Sequence, residues 1–428
     1  MKYNLEMTKK TLDNGLTVIL IHKPDYAKSF FMLSAPVGGA DIIQSVNGER
    51  VVRRSGLAHY MEHQMFRYDG QDVSELFARM QCSSNAFTTY FDTSYYFQTT
   101  ADIYEPLKLL LNFVENLDIT KDSVEKERGI ILSEYDMYDQ APEQRLLKET
   151  WISMYHNHPM KVDVLGTPED ISDISVDDLS AFYKQNYDPS RLLLIGITGK
   201  EINPIMEWLE ENQKAVPSRG DNGIRRIIDK EPDSVVRKEF TEKMDITIPY
   251  IAIAYKLKPE KDAMSALKKD TSLQMYLDAL FGVKNPDYQK WLDQRIFNGV
   301  LGAECDISVD HAYILVYAQT TKQEEFIKIA DETIQKLKNE PMDNEVFEAL
   351  KAKQFASAIR TLDRFEPFAI DLMHSYFEKY DYFKSLEDLG KLTAESAWED
   401  VRNLDLTNRT ITQIVPKSSV LTEMDSNR

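Results

Sequence analysis

Residues 59–63 read His-Tyr-Met-Glu-His. This pentad constrains the fold more than any other stretch, because its chemistry exists only if the backbone there is helical. On an α-helix, positions i and i+4 differ by about 40° in azimuth, and i+3 lies about 60° to the other side. His59, Glu62 and His63 then share one face. Two imidazoles one turn apart can bind a single zinc ion, and a carboxylate beside them can take a proton from a water that the metal activates. The pattern is the inverted form of HExxH, a catalytic signature. With 7 His and 70 Asp plus Glu in 428 residues, chance supplies only about 0.02 copies of His-x-x-acid-His. The bland reading, a helix with two solvated histidines, is the weaker one on that count. Ser55, just before GLAHYMEHQMF, is placed to cap the helix.

A catalytic zinc needs a third protein ligand and an open fourth position. The stretch 122–138 (DSVEKERGIILSEYDMY) offers one. Asp122 and Glu125 form a candidate capping box. Glu127 and Glu134 are two turns apart and face the same way, on a stripe with Ile131 and Tyr138. Two carboxylates among apolar side chains need a partner, which a zinc ion would provide. The alternative is a pair of surface glutamates on an amphipathic helix.

The rest of the chain suggests two domains of similar plan. Asp13-Asn14-Gly15 is a hairpin turn between apolar stretches. Strands are expected at 29–37, 93–100 and 192–197, and helices from about 55, near 72–81, near 103–117 and at 122–139. Residues 215–235 are rich in Pro, Gly, Asp and Arg and lack periodicity. The expected layout is a zinc-binding domain over 1–215, a linker over 216–235 and a second domain over 236–428 without the metal motif. Strands are then expected at 246–257 and 312–319, helices from 321 to 402, and a closing strand at 410–415. Strands first and helices later, in both halves, imply an α+β fold class with two similar domains, each a sheet covered by helices.

Charge and cysteine content exclude some functions. The formal net charge is -19, which disfavours nucleic acid and anionic membrane surfaces as partners. No stretch is apolar for long enough to insert in a membrane. Cys82 and Cys305 form no CxxC pair, so neither a disulfide framework nor a thiolate zinc site is expected. With no secretory leader legible in MKYNLEMTKK, a reducing, cytoplasmic location is the expectation. His156 and His158 precede a proline without helical spacing and are read as loop residues. His22, His311 and His374 stand alone, and the aromatic cluster around Tyr95 is read as core. No GxxxxGK[ST] or GxGxxG phosphate loop occurs.

The HxxEH at 59–63, followed by Glu127 and Glu134, resembles the pitrilysin/insulinase family of zinc peptidases, the inverzincins. GLAHYMEHQMF is similar to that family's G-x-AHxxEHxxF, and TLDNGLTVIL to its first hairpin. Ser83-Ser84-Asn85-Ala86-Phe87-Thr88-Thr89 resembles its edge strand beside the metal, and 164–199 the end of its catalytic half. The resemblance implies His59, His63 and Glu134 as ligands of one zinc per chain, Glu62 as general base and Glu127 as a supporting carboxylate. It implies Asn85 and Ala86 on the strand that holds substrate backbone. It also implies a mitochondrial-processing-peptidase-like fold, each domain a mostly antiparallel mixed sheet.

One departure bears on partners. Active relatives carry an Arg and a Tyr in the second domain that grip substrate; here those places hold Leu292 and Gly299, with Arg295 nearby. Half-length relatives pair two subunits around a chamber, so the expectation is a heterodimer with a homologous subunit supplying the missing grip, a homodimer being the other option. The function implied is a zinc-dependent endopeptidase cutting peptides or leader segments. A non-catalytic structural or binding subunit of the same fold is the alternative, and a different hydrolase with the same metal set is a third reading.

Overall fold

A computed structural model describes residues 5–221, 223–339 and 341–417. The chain forms two compact units, and each draws on separate stretches of sequence. The first takes the chain up to Asp136, then Val162–Ile227 and Asp363–Phe377; the second takes Met137–Lys161, Ile228–Leu362 and the chain from Glu378 onward.

The first unit is built on a six-stranded sheet: β1 (Glu6–Thr11), β2 (Thr17–His22), β3 (Ser29–Ala35), β4 (Ser83–Thr88), β5 (Thr93–Thr99) and β6 (Leu193–Thr198). Their order is β1-β2-β6-β3-β5-β4. Only β2 and β6 run parallel; the other pairs are antiparallel. Gly15, at φ +91°, turns β1 into β2. Both faces of this sheet are covered, which is why β3 (SFFMLSA) is buried at every position instead of alternating. On one face Val18, Leu20, Phe31, Leu33, Tyr95 and Phe97 join a core with Leu57, Tyr60, Met61 and the helix Tyr104–Glu115. Against the other lies the helix Phe365–Phe377, where Tyr376 donates to Thr17, Tyr96 donates to Glu366, and Ser94 reaches the Met373 sulfur.

The second unit holds a five-stranded sheet: β7 (Glu239–Met244), β8 (Tyr250–Lys256), β9 (Leu301–Ile307), β10 (Ala312–Gln319) and β11 (Arg409–Pro416), in the order β7-β11-β8-β10-β9. Again one pair is parallel, β7 with β11, and the last strand in sequence inserts beside the first. The sheet has the plan of the first one without a counterpart of β1. Within the stretch expected as strand over 246–257, Tyr250–Lys256 forms β8; β7 lies before that stretch and pairs with β11 rather than with β8, and neither β7 nor β9 was foreseen. The outer strand β7 alternates exposed and half-buried, so it carries no apolar run for sequence to display.

The units divide the chain differently from the expected halves. The helix Pro142–Met154 packs on β8 and β11 of the second unit, and Phe365–Phe377 on β3 and β6 of the first. The stretch expected as a linker is pinned at both ends. Arg226 donates to Asp41 and to the Phe91 carbonyl, and the Ile227 amide to Ile43. Further on, Glu231 accepts the amides of His156, Asn157 and His158 and is paired with the buried Lys256.

Candidate metal centre

The pentad lies on a helix, α1 (Leu57–Met65). Ser55, expected to cap it, does not. Its hydroxyl donates to Asp170 and receives the Thr167 amide, while Gly56 at φ +82° starts the helix. Gly56 and Gly166 meet backbone to backbone there: a Cβ on Gly56 would stand 2.2 Å from the Leu165 carbonyl oxygen. Leu57, Ala58, Tyr60, Met61 and Met65 face the core, which turns His59, Glu62 and His63 the other way.

The second helix, α2 (Lys121–Asp139), is stitched to the first at its start. Tyr60 donates to the Val124 carbonyl, and the Gln64 side chain bonds both the hydroxyl and the carbonyl of Ser123. The expected capping box of Asp122 and Glu125 is not what closes this end. Thr120 and Ser123 exchange their amides and hydroxyls instead. The register fixed there places Glu127 and Glu134 opposite the two histidines.

His59 Nε2 lies 3.8 Å from Glu134 Oε2, and His63 Nε2 lies 3.4 Å from the same oxygen. The three donor atoms are within 4.8 Å of one another. Zinc bonds of about 2.0–2.1 Å in a tetrahedron give ligand–ligand edges of roughly 3.3–3.4 Å. The donor set, two imidazoles and a carboxylate, is that of known catalytic zinc sites, and the residues fit the ion. His63 Nδ1 faces Glu127 Oε2 at 3.3 Å, so Glu127 orients the ring rather than joining the donor set. Burial, and next the charge of His63, lowers His59 to about 4, which keeps it neutral. For His63 burial acts downward, but hydrogen bonds to Glu127 and Glu134 prevail and raise it to about 9. A bound cation would take the place of that proton.

Glu62 sits beside His63 with its Oε2 accepting from the Thr88 hydroxyl at 2.6 Å. Burial raises its carboxyl above the ordinary range, and the Thr88 bond opposes the rise. An open cleft of about 420 Å³ borders Glu62, His63 and Glu127, walled also by Arg67, Asp72 and Lys126. Asn85 and Ala86 lie on β4, the edge strand of the sheet. The Ala86 amide is held by the Asn85 side-chain oxygen at 2.9 Å. Arg295 lies in the second unit, just after the short helix Tyr288–Asp293, at φ +52°.

A second group of His158, Asp310 and His311 gathers in the second unit, unforeseen because about 150 residues separate His158 from the other two. Its geometry suits protons better than a metal. The Met160 amide donates to His158 Nδ1, which puts the neutral ring's proton on Nε2, the nitrogen 3.9 Å from Asp310. His311 Nδ1 is 2.6 Å from Asp310 Oδ1, a hydrogen-bond length and too short for two ligands of one ion.

Two α+β units, one of which sets an HxxEH helix against a helix with two inward carboxylates, define a scaffold of the inverted-motif zinc peptidases. Residues 52–168 match the family model described as Insulinase (Peptidase family M16), and residues 173–354 that described as Peptidase M16 inactive domain. The chain belongs to the M16 peptidase family. It is 28% identical over 416 residues to the uncharacterized zinc protease YmfH of Bacillus subtilis, covering 95% of this chain and 96% of that protein. Over 249 residues it is 24% identical to the mitochondrial-processing peptidase subunit beta of Neurospora crassa, covering 57% of this chain and 50% of that one. The crystal structure of a putative M16-like peptidase from Alicyclobacillus acidocaldarius superposes with a TM-score of 0.91 at 26% identity, over 96% and 99% of the two chains. Among the described residues no helix is long and apolar enough to cross a membrane.

Proposed function

We propose that this chain is a zinc-dependent endopeptidase with His59, His63 and Glu134 as the ligands of one zinc per chain. The observation that carries the proposal is the approach of both histidine Nε2 atoms to one Glu134 oxygen, at 3.8 and 3.4 Å, with Glu62 alongside. When bound, zinc supplies a Lewis acid that polarises a carbonyl and makes water a nucleophile near neutral pH. Glu62 accepts the proton of the attacking water and can return it to the leaving amine. Glu127 keeps the His63 ring in orientation through Nδ1. Peptide is held on the free edge of β4, where Asn85 and Ala86 would supply main-chain hydrogen bonds with little demand on side chains. The amide of Ala86 then exchanges its Asn85 partner for the substrate.

Leu292 and Gly299 stand where active relatives place a substrate-gripping Arg and Tyr, which supports a heterodimer with a homologous subunit that brings both. The similarity to a processing-peptidase subunit points the same way. A non-catalytic role accords less well with His59, Glu62, His63 and Glu134 all being kept together. The free thiols Cys82 and Cys305 accord with a reducing, cytoplasmic location.

The test is metal analysis together with cleavage of a peptide library read by mass spectrometry, for the chain alone and with its homologous partner. The expected result is one zinc per chain and cleavage that Glu62→Gln lowers by roughly 100-fold or more with zinc retained. Zinc-free protein, or undiminished cleavage by Glu62→Gln, would overturn the assignment.

A further inference from the structure

We propose that Thr88 is the positioning residue for Glu62, so that the edge strand which receives peptide also aims the base. The inference rests on the peptidase reading above and adds a residue to it.

Thr88 is the last residue of β4, and its Oγ1 donates to Glu62 Oε2 at 2.6 Å. Among the described residues this is the only hydrogen bond to the Glu62 side chain. The length is that of a charge-assisted O–H to carboxylate bond. Helix α1 fixes the Glu62 backbone but leaves three side-chain torsions, and the hydroxyl selects among them. Occupying Oε2 leaves Oε1 as the oxygen available for a proton.

Thr88 is itself rigidly placed. A β-branched side chain has few χ1 options, so its hydroxyl goes where the strand directs it. Period-two alternation puts Ser84, Ala86 and Thr88 on one face of β4, and Ala86 packs against the core that includes α1. The backbone next to Thr88 is clamped. The Thr89 amide donates to the Asp92 carbonyl, and the Thr89 hydroxyl accepts the amides of Phe91 and Asp92. The Gly39 amide then holds the Thr89 carbonyl. Gly38 permits this approach, since a Cβ there would lie 2.4 Å from that carbonyl oxygen.

The other side of β4 has no neighbouring strand among the described residues. A peptide added there would lie along the strand whose final side chain holds Glu62, so one rigid element places both substrate and base. Thr→Val is close to isosteric and removes only that hydroxyl.

The experiment compares wild type, Thr88→Val and Thr88→Ser on the best-cleaved member of a quenched fluorogenic peptide library, with zinc content measured for each. Thr88→Val is expected to lower kcat roughly 10- to 100-fold with KM and zinc content nearly unchanged, the signature of an interaction made in the transition state. Thr88→Ser is expected to recover most of the loss. Wild-type kcat in Thr88→Val, a loss explained by KM or by missing zinc, or a serine variant as impaired as the valine one would each overturn the inference. Crystal structures of wild type and Thr88→Val give a readout independent of turnover, with Glu62 expected to leave its single orientation in the variant. An unmoved Glu62 overturns the positioning role even if the wild type cuts no peptide, and that second result would count against the peptidase reading alone.

Discussion

Glu127 Oε2 lies 3.3 Å from His63 Nδ1, on the far side of the ring from Glu134. A carboxylate so placed fixes the tautomer that frees Nε2 and raises the basicity of the ring. Glu127→Gln is therefore expected to weaken zinc binding by about 10- to 100-fold while leaving the fold intact. Competition against a chelator of known affinity measures this. Equal zinc affinity in the two proteins would remove Glu127 from the site.

The start of α1 depends on Gly56. At φ +82°, and with the Leu165 carbonyl where a Cβ would be, alanine meets both strain and collision. Gly56→Ala should cost roughly 2 kcal/mol or more. Gly129, in the middle of α2 with nothing within 4 Å of its virtual Cβ, is the contrast. Gly129→Ala should gain about 0.5–1 kcal/mol through helix propensity. Urea midpoints of the two variants should move in opposite directions.

His311 gives stability a pH dependence that has no link to the candidate metal centre. Its ring is buried, which acts against protonation, but Asp306 and Asp310 outweigh burial and hold it at about 9. His158, Tyr313 and Asp270 complete its surroundings, and burial with the charge of Asp306 raises Asp270 to about 7. A raised histidine contributes stability that is whole below its unfolded value of about 6.5 and disappears as pH climbs through about 9. The contribution is on the order of 3 kcal/mol. Asp270 ionises in the lower part of the same window, so the readout is the difference between wild type and His311→Asn. The stability gap between them should narrow from neutral pH to about pH 9.5. A constant gap would mean the ring is neutral throughout.

Lys256 is buried in the second unit with its ammonium on Glu231 and on the carbonyls of Met154, Pro232 and Ser234. Lys256→Met removes the ion pair and the donor to three carbonyls, and leaves the Glu231 charge with only the amides of His156, Asn157 and His158. The expected cost is about 3–5 kcal/mol, the price of leaving one partner of a buried pair alone. Denaturant unfolding measures it, and a loss below 1 kcal/mol would show that solvent reaches Glu231 readily.

Features carried by near neighbours in sequence were the most legible. The i, i+3, i+4 spacing of His59, Glu62 and His63 prescribes a shared helical face, and the seven-residue step from Glu127 to Glu134 prescribes another. Which glutamate stands nearer the Nε2 atoms depends on the stitching of Tyr60 and Gln64 to the start of α2, a tertiary matter. Thr88 gave no signal, because a threonine at the end of a strand is commonplace until Glu62 is seen beside it. Asp122 and Glu125 fitted a capping pattern that Thr120 and Ser123 satisfy two residues earlier. His158 read as a loop residue beside His156, and His311 as solitary, since only the folded second unit joins them. The strand β9, LGAECDI, mixes small, polar and apolar residues without a clear period.

The return of Phe365–Phe377 to the first sheet has a consequence for biosynthesis. A ribosome will have made the HxxEH motif and every strand of that sheet long before it reaches the helix that seals their second face. Until then Phe30, Met32, Ile195 and Ile197, fully buried in the finished protein, have nothing from this helix to cover them. Cutting the gene after residue 227 would make that transient exposure permanent, so a minimal metal-binding fragment has to be designed with a replacement for the missing helix.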